Sequence, residues 1–269
     1  MPERALSVRP PAVAGRFYPG DPQKLRSEVG ALMAASAGYT GSRPAALIAP
    51  HAGYVYSGKV AATAFAALRE IAESITRVVV IGPAHYVPFR GVAVPTVETF
   101  ETPLGRIALD REAIAGLTDL PFVAQADAPH ALEHALEVEL PFLQMLLKDF
   151  ALVPLLVGDA TPQQVAEVVA RLWDGPRTLI VISSDLSHYH DYETAQHLDA
   201  ATAALIERGA WSELGSGNAC GFLPLAGFLI EAAQRGLNAQ RLGLCNSGDT
   251  AGDRASVVGY GAWAFAPRR

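Results

Sequence analysis

Short apolar runs alternate with longer stretches of helical periodicity along this chain. Residues 46–49, 78–81 and 179–182 are three runs without a polar side chain, rich in valine, isoleucine and leucine. Continuous apolar runs of this length are typical of strands that are buried on both faces of a sheet. Each run is followed within a few residues by a turn or a polar segment. The pattern therefore predicts a sheet with buried central strands.

Helical periodicity and capping residues predict helices between these strands. Asp21 followed by Pro22 has the form of an N-cap with proline at the first helical position, and predicts a helix to about residue 35. Residues 161–164 (TPQQ) form a capping box for a helix that ends near residue 173. Further helices are predicted over residues 58–71, 131–150, 192–207 and 219–234.

The segment 131–150 has the strongest helical pattern. Its leucines recur at three- and four-residue steps and form one apolar stripe, and Pro141 predicts a kink or a restart. On such a helix His134 points well off the stripe, towards solvent or a polar pocket. Glu137 lies about one turn further on, so an intrahelical His134–Glu137 pair is the structural alternative to a role in a site.

The remaining pattern completes an α/β fold. Short β runs at residues 91–97 and 106–109 flank a Pro/Gly turn and predict a hairpin. Further strands are predicted over residues 152–157, 241–245 and 256–265. No repeat or linker divides the chain. Strands that alternate with helices predict one domain over residues 1–269, an α/β fold built as a three-layer α/β/α sandwich around a mixed sheet.

Composition narrows the classes of partner. Half of the 269 residues are hydrophobic, which allows a large core without disulfides. The net charge of −6 and the lack of a basic stripe argue against a nucleic-acid partner. The N-terminal residues lack the apolar core of a signal peptide, and no apolar run reaches the ~18 residues that span a bilayer. With two cysteines expected as reduced thiols, we expect a cytoplasmic protein that does not enter membranes.

Two histidines follow predicted strands directly. His51 follows the run at residues 46–49, and His85 follows the run at residues 78–81, each after a turn that contains proline. In open α/β sheets, ligands bind beyond the carboxyl ends of the strands, so these side chains are expected to converge. Imidazole is the commonest metal ligand in proteins, and a strand end gives it a rigid backbone. A hydrogen-bonded structural role is the alternative for either histidine alone.

Three more residues carry candidate chemistry. Asp185 and His188 follow the run at residues 179–182, where Asp185 has three alternative roles: metal ligand, orienting group for a ligand histidine, or cap of the next helix. Cys220 precedes a predicted helix, where it is either a thiolate ligand or a small buried hydrophobe. A Ser–His–Asp hydrolase is weakly indicated, because the chain has no G-x-S-x-G motif.

Together, these segments resemble the Memo-like proteins, also called the AmmeMemoRadiSam system protein B family. The matching segments run in order through nearly the whole chain and include PAVAGRFYPGDP, APHAGYVYSG, VVVIGPAHY, LEHALEVELPFLQ, VISSDLSHY and ACGFLPL. The resemblance implies a LigB-like α/β sandwich, similar to that of class III extradiol dioxygenases. It also implies a metal-competent pocket onto which His51, His85 and Cys220 map, with His134, Asp185 and His188 nearby.

The resemblance further implies metal binding, with iron and copper both discussed for the family. A eukaryotic member is linked to cell motility signalling and phosphopeptide recognition, and bacterial and archaeal members accompany AMMECR-like and radical-SAM proteins. Extradiol dioxygenases hold Fe(II) with two histidines and a carboxylate. In this sequence Cys220 falls where the third ligand is expected, and a thiolate favours Cu(I), Zn(II) or a differently tuned iron. Ring-cleaving chemistry therefore does not transfer with the fold.

These observations predict a metal-dependent oxidoreductase with an unknown small-molecule substrate. One metal ion, Fe(II) ahead of Cu or Zn, is held by His51, His85 and Cys220. His134 or His188 acts as acid or base, and Asp185 orients a ligand or a water molecule. The main alternative is a non-catalytic module that holds metal or recognises a peptide in the same pocket. A cysteine hydrolase that uses Cys220 with His134 or His188 is a third interpretation.

Overall fold

The computed structural model describes residues 7–267, which form twelve strands and eight α-helices. Residues 1–6, the first part of the segment without a signal-peptide pattern, lie outside the described range, as do residues 268–269. The strands are β1 (Val8–Arg9), β2 (Ala46–Ala49), β3 (Arg77–Pro83), β4 (Val92–Val94), β5 (Thr99–Thr102), β6 (Gly105–Ala108), β7 (Val123–Gln125), β8 (Ala151–Val157), β9 (Thr178–Ser183), β10 (His188–His190), β11 (Leu237–Asn246) and β12 (Val257–Pro267). The helices are α1 (Pro22–Ala35), α2 (Tyr54–Ala66), α3 (Arg111–Ala115), α4 (Ala128–Ala131), α5 (Leu140–Leu146), α6 (Pro162–Leu172), α7 (Tyr192–Glu207) and α8 (Phe222–Gln234).

A nine-stranded mixed sheet forms the middle layer. Its order is β10-β12-β2-β9-β3-β8-β4-β7, with β11 also paired to β12. The strands β2, β9, β3 and β8 run parallel, whereas β12 and β4 join them antiparallel. Helices α1, α2 and α5 contact one another on one face, and α6 and α8 pack together on the other. The fold is therefore the predicted three-layer α/β/α sandwich with a mixed sheet, and the buried apolar runs are its central strands.

A second, three-stranded sheet corrects the predicted hairpin. Strands β5 and β6 form a hairpin around the predicted turn, and β1 pairs parallel with β5. The first arm of the hairpin is thus Thr99–Thr102, not residues 91–97. Val92–Val94 instead pairs with β7 and β8 in the main sheet. Pro95, which cannot donate to a strand ladder, follows the end of β4 and separates the two segments.

The prediction of one long helix over residues 131–150 is wrong. The chain makes the short helix α4, an irregular segment, a 3₁₀ turn at Glu137–Glu139 and then α5. Leu132 is 65% exposed, so the leucine stripe is not one buried face. The Glu133 carboxylate accepts from the backbone N–H groups of His134 and Ala135, and such local side-chain hydrogen bonds compete with a helical ladder. The intrahelical His134–Glu137 pair therefore does not form.

The two predicted helix caps form in the structure. The Asp21 carboxylate accepts from the Lys24 N–H at 2.8 Å and caps α1, and the Thr161–Gln164 capping box forms at the start of α6. Helix α7 has its predicted bounds. Helix α2 begins four residues before its predicted start, and α8 begins three residues after its predicted start. Among residues 7–267, no helix combines the length and apolar composition that a bilayer crossing requires.

Candidate metal centre

The carboxyl ends of three parallel strands meet at one edge of the main sheet. Ala49 at the end of β2 lies opposite Ser183 at the end of β9, and Ile182 of β9 pairs with Ile81 of β3. The strand ends are thus level, and the chain leaves each of them towards the same edge. This arrangement confirms the prediction that the residues after β2 and β3, which include His51 and His85, lie at one edge of the sheet.

Three histidines form a cluster at that edge. His51, His85 and His134 each present one ring nitrogen, and these nitrogens all lie within 4.8 Å of one another. The ring centroids of His85 and His134 are 4.7 Å apart, and that of His51 lies 5.3 and 5.4 Å from them. His134 reaches the cluster from the irregular segment that precedes the Glu137–Glu139 turn, in place of the predicted helix.

Hydrogen bonds hold His51 in one orientation. Its Nδ1 lies 2.8 Å from Ser183 Oγ, and that hydroxyl donates to the Ala135 carbonyl at 2.6 Å. Ser183 Oγ therefore accepts from His51 Nδ1–H, which leaves the Nε2 lone pair free. Burial, followed by the nearby His85, lowers the pKa of His51 to about 3. His51 is thus neutral at physiological pH, the form that binds metals.

Glu133 orients the other two histidines, and the sequence interpretation missed it. Its Oε1 accepts from His85 Nδ1–H at 2.8 Å and from the His134 N–H at 2.9 Å, and its Oε2 accepts from the His85 N–H at 2.6 Å. Burial alone would raise the pKa of Glu133, but the hydrogen bonds from His85 and the backbone lower it to about 2. A carboxylate on the second nitrogen of an imidazole is a recurring feature of metal-binding histidines. The sequence did not indicate a role for Glu133, because the leucine spacing predicts one long helix through Glu133 and His134.

His134 packs between aromatic rings. The Phe17 ring centroid lies 4.9 Å from that of His134, and the Tyr86 hydroxyl lies 3.3 Å from His134 Nδ1. Burial, followed by the nearby His51, lowers the pKa of His134 to about 4. His134 therefore has the neutral form and the placement of a third nitrogen donor, although the sequence predicted it as an acid or base.

Cys220 adjoins the cluster. Its Sγ lies 3.4 Å from His51 Nε2, and the residue precedes helix α8 by two positions. Burial, followed by the charge of Asp185, raises the pKa of the Cys220 thiol to about 12. Without a metal ion, Cys220 is thus a protonated thiol at neutral pH and not an activated nucleophile. Cys220 therefore contacts one histidine of the cluster, while the group of ligand atoms within 4.8 Å of one another consists of the three histidines.

Asp185 and His188 line the same edge. The Asp185 carboxylate accepts from the His51 N–H at 2.8 Å, so it fixes the backbone that carries His51. Burial raises the pKa of Asp185 to about 6, although the hydrogen bond from His51 and the nearby His188 oppose the shift. Of the three alternatives for Asp185, capping is excluded, because Asp191 caps α7. His188 Nδ1–H donates to the Leu186 carbonyl at 2.8 Å, which leaves its Nε2 as an acceptor.

These donors fit a divalent transition metal. His51 is a buried and His134 a partly buried neutral imidazole, and a hydrogen bond to Nδ1 orients each ring of the cluster. Imidazole nitrogen suits zinc, copper and iron, and oriented rings with polar partners behind them are what such ions require. The arrangement can hold one ion with three nitrogens, with the Cys220 thiol on one side.

Comparison with known proteins identifies the family to which this chain belongs. The family model described as "Memo-like protein" matches residues 9–264. This chain belongs to the Memo-like protein family. A "MEMO1 family protein" of Methanosarcina mazei is 37% identical over 96% of this chain and 98% of its own length. A "MEMO1 family protein" of Aquifex aeolicus is 35% identical over 95% of this chain and 98% of its own length. A solved structure of an uncharacterized Escherichia coli K12 protein, with a TM-score of 0.49 and 16% identity over 82% of this chain and 99% of its own, is too distant to support a conclusion.

Large hydrophobic side chains are exposed on the segments that carry the histidines of this Memo-like protein. Among the described residues, most of the large hydrophobic side chains that are exposed lie within five positions of a histidine at this edge. They are Val55 and Tyr56 after His51, Tyr86 after His85, Leu132 before His134 and Tyr189 after His188. The Tyr86 ring centroid lies 5.8 Å from that of His134, so an exposed aromatic side chain adjoins the cluster.

His130 of this Memo-like protein lies outside the cluster and makes an acid-sensitive contribution to stability. Its Nε2–H donates to the Ala93 carbonyl at 3.2 Å, and burial lowers its pKa to about 4. The unfolded chain, with a pKa of about 6.5, binds more protons between about pH 6.5 and 4, so this contribution is lost as the pH falls through that window. We expect the wild type to lose about 2 kcal/mol more unfolding free energy than His130→Gln when the pH falls from 7 to 5.

Chemical denaturation of the metal-free protein at both pH values measures this change. His197→Gln is the control, because His197 is exposed on α7. A pH dependence of His130→Gln that equals that of the wild type would contradict the assignment of a neutral, buried His130.

Proposed function

We propose that this Memo-like protein is a metal-dependent oxidoreductase whose ion is held by His51, His85 and His134. The observation that carries the proposal is the convergence of three ring nitrogens within 4.8 Å of one another, at the level ends of parallel strands. Cys220 is proposed as a further ligand or as a neighbour of the ion, since its Sγ contacts His51 Nε2. Iron(II) is favoured, with copper and zinc as alternatives that the same donors accept.

The proposed division of labour separates metal binding from proton transfer. A bound iron or copper ion would supply one-electron and oxygen chemistry. With His134 among the ligands, proton transfer falls to His188, whose Nε2 is free to accept, and to Asp185, whose pKa of about 6 lets it hold or release a proton near neutrality. Should Cys220 be the third ligand instead, His134 returns to the role of acid or base. The substrate is proposed to be a small molecule or a peptide with an apolar face, because the exposed Tyr86 ring adjoins His134 of the cluster.

Metal analysis of anaerobically purified protein tests the proposal. We expect about one transition-metal ion per chain in the wild type and less than a tenth of that in His51→Ala, because one of three ligands is lost. His197→Ala, on the exposed surface of α7, is the control and should keep the wild-type stoichiometry. Wild-type protein that neither contains nor takes up iron, copper or zinc would refute the metal site.

Two further variants decide the identity of the third ligand. If the histidine cluster holds the ion, His134→Ala loses the metal while Cys220→Ser retains most of it. The opposite result would assign the third position to Cys220, as the resemblance to the family implied. Oxygen consumption by the iron-loaded protein with a panel of catechols and other aromatic compounds then tests catalysis. Metal that stays bound without turnover would favour the non-catalytic module.

The cellular setting of the protein is part of the proposal. Cys220 and Cys245 are both unpaired in the described structure, which favours a reducing compartment such as the cytoplasm. A functional link to AMMECR-like and radical-SAM proteins is proposed from the family resemblance. Co-purification from the native host, with and without the His51→Ala substitution, would test whether such partners depend on the metal site.

A further inference from the structure

Arg9 is a buried arginine near the start of the described chain. It is 4% exposed and lies in β1, where its register partner in β5 is Phe100. Its guanidinium group bonds to a single distant segment: Nε donates to the His130 carbonyl at 3.0 Å, and Nη2 donates to the Glu133 carbonyl at 2.5 Å. Nη1 donates to the Glu137 carboxylate. All three bonds therefore hold the segment 130–137, which runs from the end of α4 to the 3₁₀ turn.

Glu137 also bonds to the N-terminal segment, through contacts other than that with Arg9. Its carboxylate is fully buried, and it accepts from the Ala12 N–H at 2.7 Å, the Val13 N–H at 3.0 Å and the Tyr18 hydroxyl at 2.5 Å. The N-terminal segment 9–18 and the segment 130–137 are thus joined by polar side chains from both segments. In addition, the Phe17 ring of the N-terminal segment packs against His134.

The bonds made by Arg9 act on the residue that orients two histidines. Arg9 holds the main-chain carbonyl of Glu133, while the Glu133 carboxylate holds His85 and His134. No regular helix runs through residues 132–136, so a helical ladder does not fix this backbone. We infer that Arg9 is a positioning residue of the metal centre, which fixes Glu133 and through it the rings of His85 and His134. The inference rests on the proposed metal site.

Arginine suits this position for a geometric reason. Its planar group offers five N–H donors in a fixed fork and can reach two carbonyls and a carboxylate together, whereas a lysine ammonium is a single point on a flexible stem. An Arg9→Lys variant keeps the charge but loses part of the contact set. A positioning role therefore predicts partial function for lysine and a larger loss for an uncharged residue.

Cobalt(II) binding provides the test, because its visible spectrum reports ligand geometry. The variants are Arg9→Met, Arg9→Lys and the pair Arg9→Met/Glu137→Gln, in which no carboxylate is left buried without its cation. The matched control is Arg77→Met, which removes an arginine held by Asp110 and Asp174 near the amino end of β3, away from the histidines. Thermal unfolding identifies variants that remain folded.

We expect Arg9→Met and the double variant to bind cobalt about 10-fold more weakly or worse, with a changed visible spectrum. Arg9→Lys should lie between them and the wild type, and Arg77→Met should lose stability but keep the wild-type affinity and spectrum. Wild-type affinity and spectrum in a folded double variant would overturn the inference.

Hydrogen exchange of the metal-free protein separates this inference from the proposed function. Peptides that cover residues 128–139 should exchange faster in the Arg9 variants than in the wild type or in Arg77→Met. If the wild type binds no cobalt, the proposed metal site is refuted. Faster exchange in the Arg9 variants would then still show that Arg9 stabilises this segment. Unchanged exchange over residues 128–139 would refute that hold.

Discussion

Replacement of Glu133 by glutamine is expected to weaken metal binding by about 10- to 100-fold, the effect typical of losing a carboxylate behind a ligand histidine. Glu133 is 2% exposed, and its two oxygens accept four hydrogen bonds from His85, His134 and Ala135. Glutamine has one acceptor oxygen and an NH₂ group, so one oxygen position becomes a donor that faces another donor. The negative charge next to the His85 ring is lost as well.

The same substitution should also destabilise the metal-free protein. An unsatisfied buried N–H group costs about 1–3 kcal/mol, and the glutamine leaves at least one such group near His85. A chelator-competition titration measures the affinity, and urea denaturation measures the stability. Glu167→Gln, on the exposed side of α6, is the control and should match the wild type in both measurements. An affinity of Glu133→Gln within about threefold of the wild type would show that this carboxylate does not support metal binding.

Gly91→Ala is expected to cost about 3 kcal/mol or more of unfolding free energy, from two separate causes. Gly91 has φ +81, a left-handed conformation that costs an L-residue about 1–2 kcal/mol. A Cβ atom at Gly91 would also lie 2.0 Å from the Phe122 carbonyl oxygen, a backbone atom that can retreat only if the strand shifts. Forced shifts of this kind in a packed region typically cost a further ~1–3 kcal/mol.

Gly209→Ala separates the two causes. Gly209 has φ +68, but a Cβ atom there would meet no atom within 4 Å, so this variant should lose only the conformational part, about 1–2 kcal/mol. Urea denaturation of both variants gives the comparison, and equal losses would contradict the steric argument. Gly91 closes the loop that follows His85, because its N–H donates to the Asp159 carbonyl and its own carbonyl accepts from the Gly158 N–H. Gly91→Ala should therefore also weaken metal binding, whereas Gly209→Ala should not.

The fold and the shared edge of the sheet were predictable from the sequence because their signals are local. Residues 78–81 are four β-branched residues, which favour a strand buried in the interior of a sheet, and the turn after them places His85 at the end of the strand. The Asp21 cap and the Thr161–Gln164 capping box likewise act within one turn of helix. Such signals need no knowledge of the rest of the chain.

The segment 131–150 shows where this reasoning fails. Leucine spacing favoured one long helix, but the glutamates within it are recruited by distant partners. Arg9 is 128 residues away from Glu137, and His85 is 48 residues away from Glu133. Each of these two buried carboxylates accepts four hydrogen bonds. Tertiary hydrogen bonds therefore overrode the local helical pattern.

The sequence by itself determined the layered α/β architecture and the arrival of His51 and His85 at one edge of the sheet. Tertiary structure alone decided that His134 joins them, that Cys220 contacts His51, and that Glu133 orients two of the rings. The physical reason is the range of the interactions. Strand burial and helix capping depend on neighbours along the chain, whereas the orientation of a buried imidazole depends on whichever donors and acceptors the folded chain places against it.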